Sequence, residues 1–120
     1  MQRARVAVID DDESVRESLP DLLREFGYLA DVYSSAEEFL SANRVADYAC
    51  LVLDISMPGM SGIDLQRELV HRKHSVPIVF ITAHGDEDVR KRLRKDGVEC
   101  LLKPFTDTML LAALQAVLKA

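Results

Sequence analysis

The sequence predicts an α/β fold in which five parallel strands alternate with five helices. Short apolar runs rich in Val, Ile and Leu recur along the chain, and each is followed by a stretch whose apolar residues repeat at helical spacing. The length agrees: 120 residues with 48% hydrophobic and 29% charged content suit one domain over residues 1–120, with a real core and no linker, repeat or low-complexity segment.

The first run, "RVAVI" (Arg5 to Ile9), ends in Asp10, Asp11 and Asp12. Val15, Leu19, Leu22, Leu23 and Phe26 then recur at helical spacing until Gly27. Pro20 falls inside that helix and lacks an N–H, which predicts a kink or a disturbed turn. "YLADVY" (Tyr28 to Tyr33) reads as the second strand; Ser34 or Ser35 caps a short helix with Glu37 and Glu38 in its first turn. "CLVLD" (Cys50 to Asp54) is almost uniformly apolar, as a strand covered on both faces must be.

After the loop "SMPGMSG", Ile63, Leu65, Leu69 and Val70 mark a third helix that closes near Lys73 and His74. "VPIVFIT" is the fourth strand and "DEDVRKRLRKDG" a short helix stopped by Gly97. "VECLLK" is the fifth strand and "TDTMLLAALQAVLKA" the last helix. In the fourth helix five basic residues surround only Val89 and Leu93, so the buried stripe is narrow and local stability low.

Composition excludes several functions. No apolar run approaches the roughly 20 residues of a membrane helix, and the N-terminus turns acidic too soon for a signal peptide, so a cytoplasmic location is expected. Cys50 and Cys100 lie in separate apolar runs without CxxC spacing, and read as two buried strand thiols in a reducing compartment. A net charge of −5 argues against direct nucleic-acid binding by this domain.

Parallel strands with right-handed crossovers put their carboxyl ends on one edge, where ligands bind. Asp10 and Asp11 follow the first strand; Asp54, Thr82 and Lys103 end the third, fourth and fifth. Taken singly, the residues admit plainer readings. Asp10 to Asp12 could cap the first helix, Asp54 could form the turn before Met57 and Pro58, Thr82 could be a strand-end residue and Lys103 a surface charge. Together they describe crowded carboxylates that need a hard, oxygen-bound cation, Mg²⁺ or Mn²⁺, and so a site suited to a phosphoryl group on Asp54. Asp54 would attack phosphorus as a carboxylate nucleophile, with Lys103 neutralising charge and Thr82 donating to a phosphoryl oxygen.

The motifs "VIDDDESVR", "LDISMPGMSG", "IVFITAHGD" and "LLKPF" resemble, in order and spacing, the signature segments of the receiver domain of two-component response regulators, and their wording is similar to the FixJ-like group. The resemblance covers the whole chain. It implies a flavodoxin-like three-layer sandwich with sheet order 2-1-3-4-5. It also implies that Asp54 is the phosphoacceptor, that Asp10, Asp11, Asp54 and the Ser56 backbone carbonyl hold Mg²⁺, that Thr82 is the switch hydroxyl and Lys103 the phosphate counterion, and that the Lys103-Pro104 bond is cis. Asp12 is an extra acid. The implied partners are a sensor histidine kinase and, in a longer protein, a DNA-binding output domain controlling transcription, with a homodimer possible through the face of the fourth helix, fifth strand and fifth helix. Such a domain catalyses only its own phosphoryl transfer and dephosphorylation.

Cys100 departs from the family pattern, standing where relatives carry an inward-swinging Tyr or Phe. A thiol cannot fill that volume, so either the domain signals through backbone shifts in the loop after Thr82 and the fourth helix, or its switch is weak. A redox role for Cys100 lacks a neighbour that would lower its pKa. His84, two residues after Thr82, takes a position that modulates phosphate lifetime in relatives, or is an exposed loop histidine. Two other functions compete: a receiver-like interaction domain that is never phosphorylated, and a small aspartyl-phosphate phosphatase. The second lacks both the D-x-D acid near Asp54 and room for a substrate cap.

Overall fold

In the computed structural model, which describes residues 3–118, five parallel strands lie in the order β2-β1-β3-β4-β5. The strands are β1 (Arg5–Ile9), β2 (Leu29–Tyr33), β3 (Cys50–Asp54), β4 (Ile78–Thr82) and β5 (Cys100–Leu102). The helices are α1 (Glu13–Glu25), α2 (Ala36–Ala42), α3 (Gly62–His71), α4 (Glu87–Lys95) and α5 (Asp107–Leu118). This is the expected flavodoxin-like arrangement.

Strand alternation sorts the core into two layers. Val6 and Val8 of β1, Val52 of β3 and Val79 and Ile81 of β4 pack with Leu19 and Leu23 of α1 and Leu110 and Leu114 of α5. Ala7, Ile9, Leu51, Leu53 and Phe80 face the other way, onto Phe39 of α2, Leu65 and Leu69 of α3 and Leu93 of α4. Every residue of β3 is buried, as its central place requires.

The strand boundaries are tighter than the apolar runs suggested. Tyr28 lies outside β2, Val76 and Pro77 precede β4, and β5 keeps only three residues of "VECLLK". β5 is a sheet edge with three residues paired to β4, whereas β2, the other edge, pairs with β1 along all five of its residues. Cys50 is buried but Cys100 is only half-buried, which corrects the expectation of two buried thiols; on edge strand β5 little covers it. α1 runs through Pro20 without interruption, with Pro20 itself buried. A 3-10 turn at Val45–Asp47, not apparent in the sequence, precedes β3. The last two residues of the predicted final helix, 119 and 120, lie outside the described residues.

Behind the sheet, Tyr33 packs edge-on against both Phe39 and Tyr48, whose own rings are tilted by 41° to each other. The hydroxyls of Tyr33 and Tyr48 meet at 2.6 Å, Tyr48 donates to Asp31 Oδ2 at 2.9 Å, and Arg5 donates to the same oxygen at 2.9 Å. This polar chain, buried at the tyrosine pair and half-exposed at Asp31 and Arg5, ties β1 and edge strand β2 to the segment entering β3.

Candidate functional site

The carboxyl ends of β1, β3, β4 and β5 converge, and with them the side chains singled out from the sequence. Asp10 is completely buried and Asp54 nearly so, whereas Asp11 is exposed at the rim. One carboxylate oxygen from each of Asp10, Asp11 and Asp54 lies within 4.8 Å of the others. Lys103 Nζ reaches across from β5 to Asp10 Oδ2 at 3.1 Å, Asp12 Oδ2 at 3.7 Å and Asp54 Oδ2 at 3.9 Å. The Lys103-Pro104 peptide bond that follows is cis, as the resemblance implied.

Local structure holds each acid differently. Asp12 is the N-cap of α1, accepting from Ser14 N–H at 2.9 Å, so the capping reading is right for this residue. Asp10 Oδ1 accepts from Asp12 N–H at 2.9 Å, while its Oδ2 is buried without a hydrogen bond and lies 3.1 Å from the Lys103 ammonium. Asp54 Oδ1 accepts from Ser56 N–H at 3.1 Å. Thr82 is buried and its hydroxyl donates to the Leu101 carbonyl at 3.4 Å.

The loop after β3 is shaped by close approach. A Cβ on Gly62 would stand 2.3 Å from the Asp54 carbonyl oxygen, so only glycine lets α3 start against the end of β3. Ser61 and Asp64 form a reciprocal capping box at that start. Glu37 of α2 accepts from Met60 N–H at 3.1 Å and holds the loop from the other side.

Burial, then the adjoining Asp10 carboxylate, push the Asp54 carboxyl up to about 8, with the Lys103 charge acting against them. Burial alone would lower the Lys103 ammonium, but Asp10, Asp54 and Asp12 outweigh it and hold Lys103 above its ordinary value. A site with three carboxylates and one ammonium carries excess negative charge. The orphaned Asp10 oxygen and the all-oxygen donor set therefore fit a hard divalent cation.

His84 is exposed. It joins Val15, Leu19, Leu22, Lys103 and Phe105 in lining an open groove of about 870 Å³ beside the acidic pocket, between α1 and the segment after β5. Cys100 sits on β5 with its thiol raised, mainly by burial; Arg94 and Arg90, neighbours the sequence did not reveal, act to lower it but do not outweigh burial.

One residue of the site was not legible as such. Asp86, before α4, accepts from Ser56 Oγ at 2.9 Å and from Ala83 N–H at 3.0 Å. In the sequence it is only the first residue of the short helical stretch "DEDVRKRLRKDG". Nothing local signals that its partner lies 30 residues away in the loop after β3.

An open parallel sheet that gathers buried carboxylates, a lysine and a threonine at its carboxyl edge defines a regulatory α/β domain built around an acidic pocket. Residues 6–115 match the response regulator receiver domain, and the chain belongs to that family. It is 44% identical over 115 residues to nodulation protein W of Bradyrhizobium diazoefficiens and 39% identical over 115 residues to the response regulator protein TodT of Pseudomonas putida. Each alignment covers 95% of this chain and 51% of the relative. The transcriptional regulatory protein FixJ of Azorhizobium caulinodans is 41% identical, over 94% of this chain and 54% of FixJ. The chain thus spans about half the length of the curated relatives it matches. Among solved structures, the N-terminal FixJ structure aligns with TM-score 0.84 at 36% identity, covering 99% of this chain and 96% of that one. The response regulator StyR aligns with TM-score 0.87 at 46% identity, covering 98% and 60%.

Proposed function

We propose that the domain is switched by phosphorylation of Asp54 by a sensor histidine kinase. The observation that carries this reading is the buried Asp10–Asp54 pair at one strand edge with Lys103 spanning it. Burial strips Asp54 of solvating water, and Lys103 stands where a transferred phosphoryl group would need positive charge.

A carboxylate oxygen of Asp54 forms a bond to phosphorus as the phosphorus–nitrogen bond of the donor phosphohistidine breaks, and the freed imidazole takes up a proton. The product is an acyl phosphate on Asp54. Asp10, Asp11, Asp54 and the Ser56 carbonyl would hold Mg²⁺, or Mn²⁺ in its place, and the ion supplies charge neutralisation for the phosphoryl oxygens. Lys103 neutralises from the β5 side. Thr82 leaves the Leu101 carbonyl to donate to the phosphoryl group, and His84 at the mouth modulates water access and phosphate lifetime.

The apolar groove of Val15, Leu19, Leu22 and Phe105 opens next to Lys103, where the kinase helix bearing the histidine can pack. Output passes through the α4/β5/α5 face to transcriptional control in a longer protein, with dimerisation through the same face. No helix among the described residues is long and apolar enough to cross a membrane.

The test is intact mass after incubation with Mg²⁺ and a small acyl phosphate. One added phosphoryl group that needs metal and is absent from Asp54→Asn is the expected result. No gain by folded protein would leave an unphosphorylated interaction domain as the better reading.

A further inference from the structure

Asp86 occupies the N-cap position of α4, yet its carboxylate makes no capping hydrogen bond. Its backbone, at φ −99° and ψ 19°, is not in the extended conformation that capping uses. Instead the carboxylate turns back across the mouth of the pocket. It accepts from Ser56 Oγ in the loop after β3 and from Ala83 N–H in the loop after β4. The α4 amides that a cap would bind, those of Asp88 and Val89, gain no side-chain acceptor. α4 is also thinly anchored, with Leu93 its one buried residue.

Ser56 links this carboxylate to the phosphoacceptor, because its N–H donates to Asp54 Oδ1 while its hydroxyl donates to Asp86. A phosphoryl group on Asp54 replaces the single carboxylate charge with about two negative charges, separated from the Asp86 carboxylate only by Ser56. It also brings oxygens that compete for the Ser56 and Ala83 donors.

We propose that Asp86 is a two-position latch: it bridges Ser56 and Ala83 while Asp54 is unmodified, and is displaced by the phosphoryl group to cap α4. This rests on the phosphorylation proposed above and supplies its output. Released, Asp86 finds its best acceptor role at the α4 N-terminus, where the helix dipole favours negative charge. The helix with the weakest anchorage is then the one whose order depends on the phosphoryl state, and no aromatic ring is needed at Cys100. The bistable element is a single carboxylate with two alternative sets of donors.

The experiment is amide hydrogen exchange at Asp88 and Val89, with and without Mg²⁺ and a small acyl phosphate, alongside intact mass. In the wild type, phosphorylation should slow exchange at these amides about fivefold, the factor expected from one N-cap. Asp86→Ala should take up the phosphoryl group and show no such slowing. Asp86→Ser keeps a capping oxygen but is too short to span both loops, so it should show slow exchange in both states. Ser56→Ala, tested without donor, loosens the latch alone and should slow exchange at Val89 in the unmodified protein.

Phosphoryl uptake with no change at Asp88 and Val89, or equal slowing in Asp86→Ala, would overturn the latch while leaving the phosphorylation reading intact. Absence of uptake in the wild type would overturn that reading. The donor-free Ser56→Ala and Asp86→Ser results then decide the bridging position by themselves, and wild-type exchange rates in both variants would overturn it.

Discussion

Replacing Asp54 by Asn should stabilise the metal-free protein, and by an amount that grows with pH. In the folded chain the Asp54 carboxyl is raised to about 8 from an ordinary 3.8. Its neutral form is therefore favoured by folding. Below pH 3.8 the group is protonated in both folded and unfolded chains and costs nothing. Between about pH 4 and pH 8 the unfolded chain loses this proton first, so stability falls as pH rises, and above pH 8 the loss levels off. At about 1.4 kcal/mol per pKa unit, holding the proton on Asp54 in the folded chain at pH 7 costs about 4 kcal/mol of stability. The asparagine amide is still buried beside the Asp10 carboxylate and the site relaxes around it, so about half, or about 2 kcal/mol, should appear as gain in Asp54→Asn. For a chain of this size that is a rise of about 8 °C in Tm. Thermal melts of both proteins in EDTA at pH 4, 6 and 8 measure it directly. The difference should be small at pH 4 and largest at pH 8, and Mg²⁺ should narrow it by raising the wild type more than the variant. A constant offset across pH, or a less stable Asn variant at pH 8, would refute the claim that burial and the Asp10 carboxylate disfavour charge on Asp54.

Other perturbations follow from the same geometry. Gly62→Ala places a methyl group 2.3 Å from the Asp54 carbonyl oxygen, so α3 must shift off β3; we expect a loss above about 2 kcal/mol in urea melts, together with reduced phosphoryl uptake. Tyr48→Phe removes the hydroxyl that joins Tyr33 to Asp31; a loss of about 1–2 kcal/mol is expected, with the site's Mg²⁺ affinity, read by titration, unchanged. Lys103→Met leaves the buried Asp10 carboxylate without its cation; it should lower stability at pH 8 in EDTA by about 2 kcal/mol, and saturating Mg²⁺ should restore part of that.

Much of this was readable from order and polarity alone. β1, β3 and β4 are covered on both faces, and their sequences carry uninterrupted apolar runs whose ends fall where the chain leaves the core. Asp10, Asp54, Thr82 and Lys103 could be placed together because a parallel sheet allows its carboxyl ends no other arrangement. The edges were harder to read. "VECLLK" looks like a six-residue strand, but β5 has a neighbour on one side only, and pairing stops after three residues. The same exposure made Cys100 half-buried. The Asp31–Tyr48 bond and the Asp86–Ser56 bridge were illegible because each joins side chains far apart in sequence whose types have ordinary local explanations.

The disfavoured charge on Asp54 and the loose anchorage of α4 have a common origin in the way this sheet is built. Apolar layers on both faces fix the strands firmly, and that rigidity lets the carboxyl edge carry two buried acids with one unpartnered oxygen. A cation or a phosphoryl group arriving there meets donors already aimed, with little reorganisation. Rigidity of that kind would be useless for signalling if it extended through the whole domain. It ends at α4, whose exposed basic face and single buried leucine leave its order open to small changes at its N-terminus. Asp86 stands between the two regions, bonded to the rigid pocket and sequentially joined to the loose helix. An interaction worth one hydrogen bond at the pocket can therefore shift the population of a whole helix, while the same interaction placed against α1 or α5, each anchored by several buried residues, would change nothing measurable.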